Sequence, residues 1–166
     1  MQTIELSPTD TIPNNPLPPV VLPGAIAPEA AEPEAVMARL QQNGWQGTWV
    51  YTVFDYWHYH AEGHEVLACV SGEAVIGFGG DGDGGAEIAM KPGDVVIIPA
   101  GVGHKRLSGG DGFQVVGAYP PGQSGAITKA GGMAIDEAER KIATLTLPDR
   151  DPVSGEAPGA LAAWRD

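Results

Sequence analysis

The stretch that decides the fold is His58-Tyr59-His60-Ala61-Glu62-Gly63-His64-Glu65, answered further along by Gly93-Asp94-Val95-Val96-Ile97-Ile98-Pro99-Ala100-Gly101-Val102-Gly103-His104. Between them these segments hold all four histidines of the chain. Side chains alternate along a strand, so His58 and His60 share one face while Tyr59 takes the other. After the turn Ala61-Glu62-Gly63, a second strand sets Glu65, Leu67 and Cys69 on one side and Val66, Ala68 and Val70 on the other. A hairpin of this kind brings Glu65 opposite the histidine pair. In the later segment the apolar run Val95 to Ile98 meets Pro99-Ala100-Gly101, whose proline and glycine redirect the chain so that His104 returns to the same cavity. Three imidazoles and one carboxylate, with a position left open, suit a catalytic divalent metal. A carboxylate at position 65 inside an apolar barrel is costly unless a cation or hydrogen bonds compensate it.

Working outward, strand-like runs recur at short spacing: Thr48 to Phe54, Glu65 to Val70, Ala74 to Phe78, Ala86 to Met90, Val95 to Pro99, His104 to Leu107 and Phe113 to Tyr119. Turn residues separate them at Ser71-Gly72-Glu73, Lys91-Pro92-Gly93-Asp94 and Ser108 to Gly112. The chain has 166 residues with 24 Gly and 15 Pro, a load that long helices do not carry. An all-β fold follows, and about eight strands suit a jelly-roll barrel. Residues 1–32 carry seven prolines yet keep Leu17, Val20, Val21, Leu22 and Ile26, so this extended arm is expected to lie on a barrel, its own or a neighbour's. A short helix fits 33–44, the barrel 45–123, and a C-terminal helix from Ile135 with a tail carrying Leu161 and Trp164 fits 124–166. The glycine-aspartate run from Gly79 to Gly85 occurs once, as a hairpin loop would, rather than as stacked calcium repeats.

The formal net charge is -12, which opposes binding to nucleic acid or anionic membrane. A single cysteine, Cys69, excludes an internal disulfide. The start of the chain lacks a basic end and an apolar run, and no run suits a membrane span, so a cytoplasmic setting is expected.

The two histidine segments also resemble the paired motifs of the cupin superfamily. The first motif reads His58-x-His60, four residues, Glu65, six residues, Gly72; the second reads Gly93, five residues, Pro99-x-Gly101, two residues, His104. Thr52 stands where the first often begins with Gly, and Ser108 where the second often ends with Asn. Neither is a ligand position. The stretches Tyr56 to His60, His64 to Leu67, Pro99 to Leu107 and Val115 to Gln123 are similar to a group of small, uncharacterised bacterial cupins. The resemblance implies a single β-barrel with a metal in its mouth held by His58, His60, Glu65 and His104. The metal would be one divalent ion, Zn, Fe, Ni or Mn, and the partner a small polar molecule. Isomerase, dioxygenase and decarboxylase chemistry all fit, and the alternative is a non-catalytic sensing or binding module.

Two further residues are candidates for catalysis. His64 can act as a proton carrier or substitute ligand, since an ordinary imidazole titrates near neutral pH. Tyr56 shares the parity of His58 and is expected to line the pocket. Lys105 and Arg106, beside His104, offer charge that would attract a carboxylate. The apolar arm suggests a homodimer with exchanged arms.

Overall fold

The computed structural model describes residues 1–165 and contains two antiparallel sheets. Eleven strands make them: β1 Gln2–Thr3, β2 Val20–Leu22, β3 Gln46–Tyr51, β4 His58–Tyr59, β5 Glu65–Ser71, β6 Ala74–Phe78, β7 Ala86–Met90, β8 Val95–Ile98, β9 His104–Gly109, β10 Gln114–Tyr119 and β11 Thr128–Lys129. One sheet has the order β1-β2-β8-β5-β10-β3 and the other β11-β4-β9-β6-β7. Facing sheets of this kind form a jelly roll.

Alternation along β5 explains the layers. Leu67 and Cys69 turn inward to meet Val96 and Ile98 of β8, Val115 of β10, and Ile76 and Phe78 from the opposite sheet. Val66, Ala68 and Val70 turn outward but are equally buried, because helix α1 (Pro33–Gln42), the N-terminal arm and the C-terminal tail cover that face. A strand buried on both sides reads as an unbroken apolar run, which is how residues 66–70 appear in the sequence. The outer face of the second sheet has its own small cover, where Tyr59 and Ala61 pack with Ile12 of the arm and Ala138 of helix α2 (Ile135–Ala143).

Helix α1 begins where the sequence signals it. Pro33 occupies the first turn, the Glu32 carboxylate accepts from the Ala35 amide at 3.3 Å, and Val36 and Leu40 supply the buried stripe. Helix α2 stops at Ala143. The Gly79 to Gly85 loop joins β6 to β7.

The arm departs from a featureless strap. Its residues 20–22 pair with β8 and thereby extend the six-stranded sheet within the same chain. Asn14, in left-handed conformation at φ 50°, fastens it: its amide donates to the carbonyls of Ser7 and Gly79, and its oxygen accepts from the Gly103 amide. From the other end of the chain, a 3-10 turn at Gly159–Trp164 docks Leu161 and Trp164 into the outer core, and the Trp164 indole donates to the Pro18 carbonyl at 2.7 Å. The strand expected over Thr48 to Phe54 instead spans Gln46 to Tyr51, and residues 52–54 bend across the barrel mouth. Strand β11, too short to show alternation, was not expected.

Candidate metal centre

His58 and His104 are direct partners in the β4–β9 pairing, and their rings lie 4.2 Å apart between centroids. His60 follows two residues after His58, its ring 5.4 Å from that of His104. One ligand nitrogen from each of the three lies within 4.8 Å of the others. All three rings are buried, at 3%, 5% and 1% exposure for His58, His60 and His104.

The backbone sets which nitrogen faces the cavity. His58 Nδ1 lies 2.9 Å from the Tyr56 carbonyl, His104 Nδ1 3.0 Å from that of Val102, and His60 Nδ1 3.1 and 3.2 Å from those of Gly125 and Ala126. A carbonyl oxygen only accepts, so each Nδ1 carries the proton and donates it. Each neutral imidazole therefore keeps its Nε2 lone pair free.

Glu65 opens β5 opposite Ile98, and its side chain reaches the same point. Its Oε2 lies 3.2 Å from His60 Nε2 and its Oε1 3.3 Å from His104 Nε2. Burial alone would raise the Glu65 pKa, but His60 and His104 overcome it and hold the carboxyl well below its usual range. Burial likewise pulls the His60 imidazole down, yet the Glu65 charge and hydrogen bond reverse the effect and leave it raised. His58, away from the carboxylate, is lowered to about 3 by burial and by His104. A carboxylate facing two bare imidazole nitrogens is stable only with positive charge between them, from a proton or a metal ion. Glu65 Oε1, buried and without a hydrogen-bond partner, fits a site made for a cation.

The four groups form the floor of a cavity of about 280 Å3. Its walls are largely apolar, with Trp49, Tyr51, Val53, Phe54, Leu67 and Ile127. The small polar molecule expected from the sequence would meet few polar wall groups. Thr52, standing where the motif often has Gly, lines this cavity.

His64 does not reach this floor. Strand alternation turns residue 64 away from residue 65, and the ring lies beneath the arm, 5.1 Å from that of Trp164. Its Nδ1 accepts from the Ala100 amide at 2.9 Å, and burial lowers its pKa to about 4. The position corrects the expectation of a proton carrier beside the metal. Tyr56 is displaced as well, because residues 52–57 are not a continuous strand and parity with His58 fails. Its ring stacks on Phe54 at 5.1 Å, with the Lys129 ammonium 4.8 Å from the ring centre. Its carbonyl faces His58 Nδ1, and its ring lies edge-on to the His58 ring at 5.6 Å. Arg106 spends its guanidinium on the carbonyls of Val53 and Gly109, and neither it nor Lys105 lines the cavity. Cys69 is buried and burial pushes its thiol up to about 11, a setting in which it is unreactive.

Sequence reasoning missed Tyr119 and Trp49. The Trp49 indole donates to the Tyr119 hydroxyl at 2.8 Å, and Tyr119 lies at the cavity wall with its ring 6.1 Å from that of His60. Burial and the nearby Glu65 charge raise its pKa, so the phenol keeps its proton. Two glycines permit this pair: a Cβ at Gly117 would collide with Trp49, and one at Gly125 with the Tyr119 hydroxyl. Gly117 within a strand and Gly125 after the barrel were the signals, since glycine in a strand often marks close approach.

Sheet order and buried histidine cluster together define a cupin barrel with a candidate three-histidine metal site. A family model described as "Cupin domain" matches residues 47–116. The chain is 44% identical over 123 residues to "Uncharacterized protein YjlB" of Bacillus subtilis, covering 74% of this chain and 73% of that protein, and it belongs to the cupin family. Among solved structures it is similar to the 3,4-ketoisomerase QdtA from Thermoanaerobacterium thermosaccharolyticum, at 17% identity and a TM-score of 0.41, covering 58% of this chain and 74% of the other. It is also similar to Bacillus subtilis oxalate decarboxylase, which has Mn(II) centres, at 22% identity and a TM-score of 0.39, covering 49% of this chain and 23% of that one. The chain spans less than two thirds of the length of several solved chains it matches, the oxalate decarboxylase among them. Among the described residues no helix is long and apolar enough to cross a membrane.

Proposed function

We propose that this cupin holds one divalent transition metal, Zn, Fe, Ni or Mn, through Nε2 of His58, His60 and His104 and the carboxylate of Glu65, and acts as a metal-dependent enzyme on a small molecule. The observation that carries the reading is the set of Nδ1 contacts to backbone carbonyls, which leaves three Nε2 lone pairs directed at one buried point beside Glu65. A metal so held supplies Lewis acidity toward a substrate oxygen or, with a redox-active ion, oxygen activation, within the isomerase, dioxygenase and decarboxylase classes.

The chain's own residues supply the rest. The apolar wall excludes water from around the floor, and so strengthens electrostatic interactions there. Tyr119, its proton retained, donates at the wall beside Glu65, while Trp49 holds the phenol in place. A tyrosine at this position favours catalysis over simple binding. The apolar lining favours the second reading, a non-catalytic sensing or binding module.

Metal analysis of protein purified without added metal is the test, with His60→Ala and His104→Ala alongside. One ion per chain in the parent and under a tenth in both variants is expected. Stoichiometric metal surviving in both variants, or none in the parent, overturns the ligand assignment. Turnover of any substrate by the loaded protein separates enzyme from binding module.

A further inference from the structure

Charge and polarity around the cavity suggest what enters it. Apart from Glu65 and the three histidines, the lining includes no ionisable side chain but the phenols of Tyr51 and Tyr119. The Trp49 indole spends its only proton on the Tyr119 hydroxyl, so of these two wall groups the phenol alone keeps a proton to donate. Of the cations nearby, Arg106 is engaged on backbone carbonyls and Lys129 lies over the Tyr56 ring, and Lys105 does not line the cavity. No guanidinium or ammonium is therefore set to receive a second carboxylate, a phosphate or a nucleotide diphosphate. The chain's overall charge of -12 opposes anions as well.

The rim adds to this. Tyr51 is 58% exposed and Ile127 45%, two of the four large apolar side chains left in water, and both line this cavity. Apolar surface kept at a pocket mouth is stabilised when an apolar ligand covers it. A volume of about 280 Å3 lies just below the usual range of small-molecule sites, about 300 to 1,000 Å3. That size suits one ring rather than a sugar nucleotide.

Resting on the metal reading above, we propose that the substrate is an uncharged small molecule with an apolar body about the size of one ring and a single oxygen-bearing head. The head meets the floor of His58, His60, His104 and Glu65. The body lies against Phe54, Val53 and Ile127.

Three hydroxamic acids with the same head group test this on protein loaded with Co(II). Benzohydroxamic acid is expected to bind at least about tenfold more tightly than acetohydroxamic acid, from the added apolar burial. 4-Carboxybenzohydroxamic acid is expected to lose that gain. In Ile127→Asp, at a site 45% exposed and with metal content checked alongside, the phenyl-to-methyl ratio should fall below about threefold. Equal binding of the phenyl and methyl probes, or full retention of affinity by the carboxylated one, overturns the substrate class while leaving the metal centre standing. Failure to load metal overturns the centre instead, and the walls are then read without it. Benzyl alcohol against metal-free protein should give saturation transfer by NMR that Ile127→Asp abolishes, and equal transfer in both proteins overturns the proposal.

Discussion

His64 and Glu65 are chain neighbours, each 2% exposed, and they belong to different parts of the molecule. Glu65 faces the barrel floor, where two imidazoles hold its charge, and His64 faces the arm, where a backbone amide and the Trp164 ring hold it neutral. One step along a strand separates a candidate chemical centre from a structural support. Burial is the same on both sides, so burial does not distinguish function. What distinguishes it is whether several ionisable groups converge on one point.

The contrast is broken most severely by removing a partner at the floor. His104→Ala leaves the buried Glu65 charge with less compensation, and in metal-free protein a loss of about 3–5 kcal/mol in urea unfolding is expected. Stability within about 1 kcal/mol of the parent would mean that Glu65 takes up a proton instead. On the other side, Trp164→Ala empties the packing against His64 and removes the indole bond to Pro18, for an expected cost of about 3–5 kcal/mol with metal content unchanged. A fall in metal content with this variant would show that the two regions are coupled.

Acid sharpens the contrast from the structural side. His64 has a folded pKa of about 4 against an ordinary 6.5, so the folded state binds fewer protons than the unfolded chain. The stability contributed by the neutral ring is complete above pH 6.5 and is lost as the pH falls toward 4, at up to about 1.4 kcal/mol per pH unit. His64→Asn offers an oxygen to the Ala100 amide without a titrating ring, and its stability profile between pH 4 and 6.5 should be shallower by up to one proton. An unchanged slope would remove His64 from the acid response. The smallest effect is expected from Gly125→Ala, where the new methyl displaces the Tyr119 hydroxyl at a cost of about 1–3 kcal/mol. Retention of the parent's Tyr119 environment by NMR would contradict the close approach.

The histidine pair, Glu65 and His104 were legible because strand parity and turn chemistry are local rules. Tyr56 shows where such rules end. Its parity with His58 presumed an extended run from Tyr56 to His58, but the chain bends there and the ring stacks on Phe54, outside the cavity lining. Tyr119 and Trp49 were hidden for the opposite reason: each sits in an ordinary strand, and only the pairing of β10 with β3 brings them into contact. Asn14 was invisible as a clasp because its partners, Gly79 and Gly103, lie far away in sequence.

The sequence alone determined an all-β chain with an extended arm and two histidine segments aimed at a common cavity, since periodicity and turn residues act over a few positions. Tertiary structure decided the rest. It joined part of the arm to the sheet, set His64 against Trp164 under the arm, placed the Gly125 and Ala126 carbonyls at His60 Nδ1 and gave the cavity apolar walls. Those outcomes depend on which strands meet, and contacts between remote segments leave no local pattern to read.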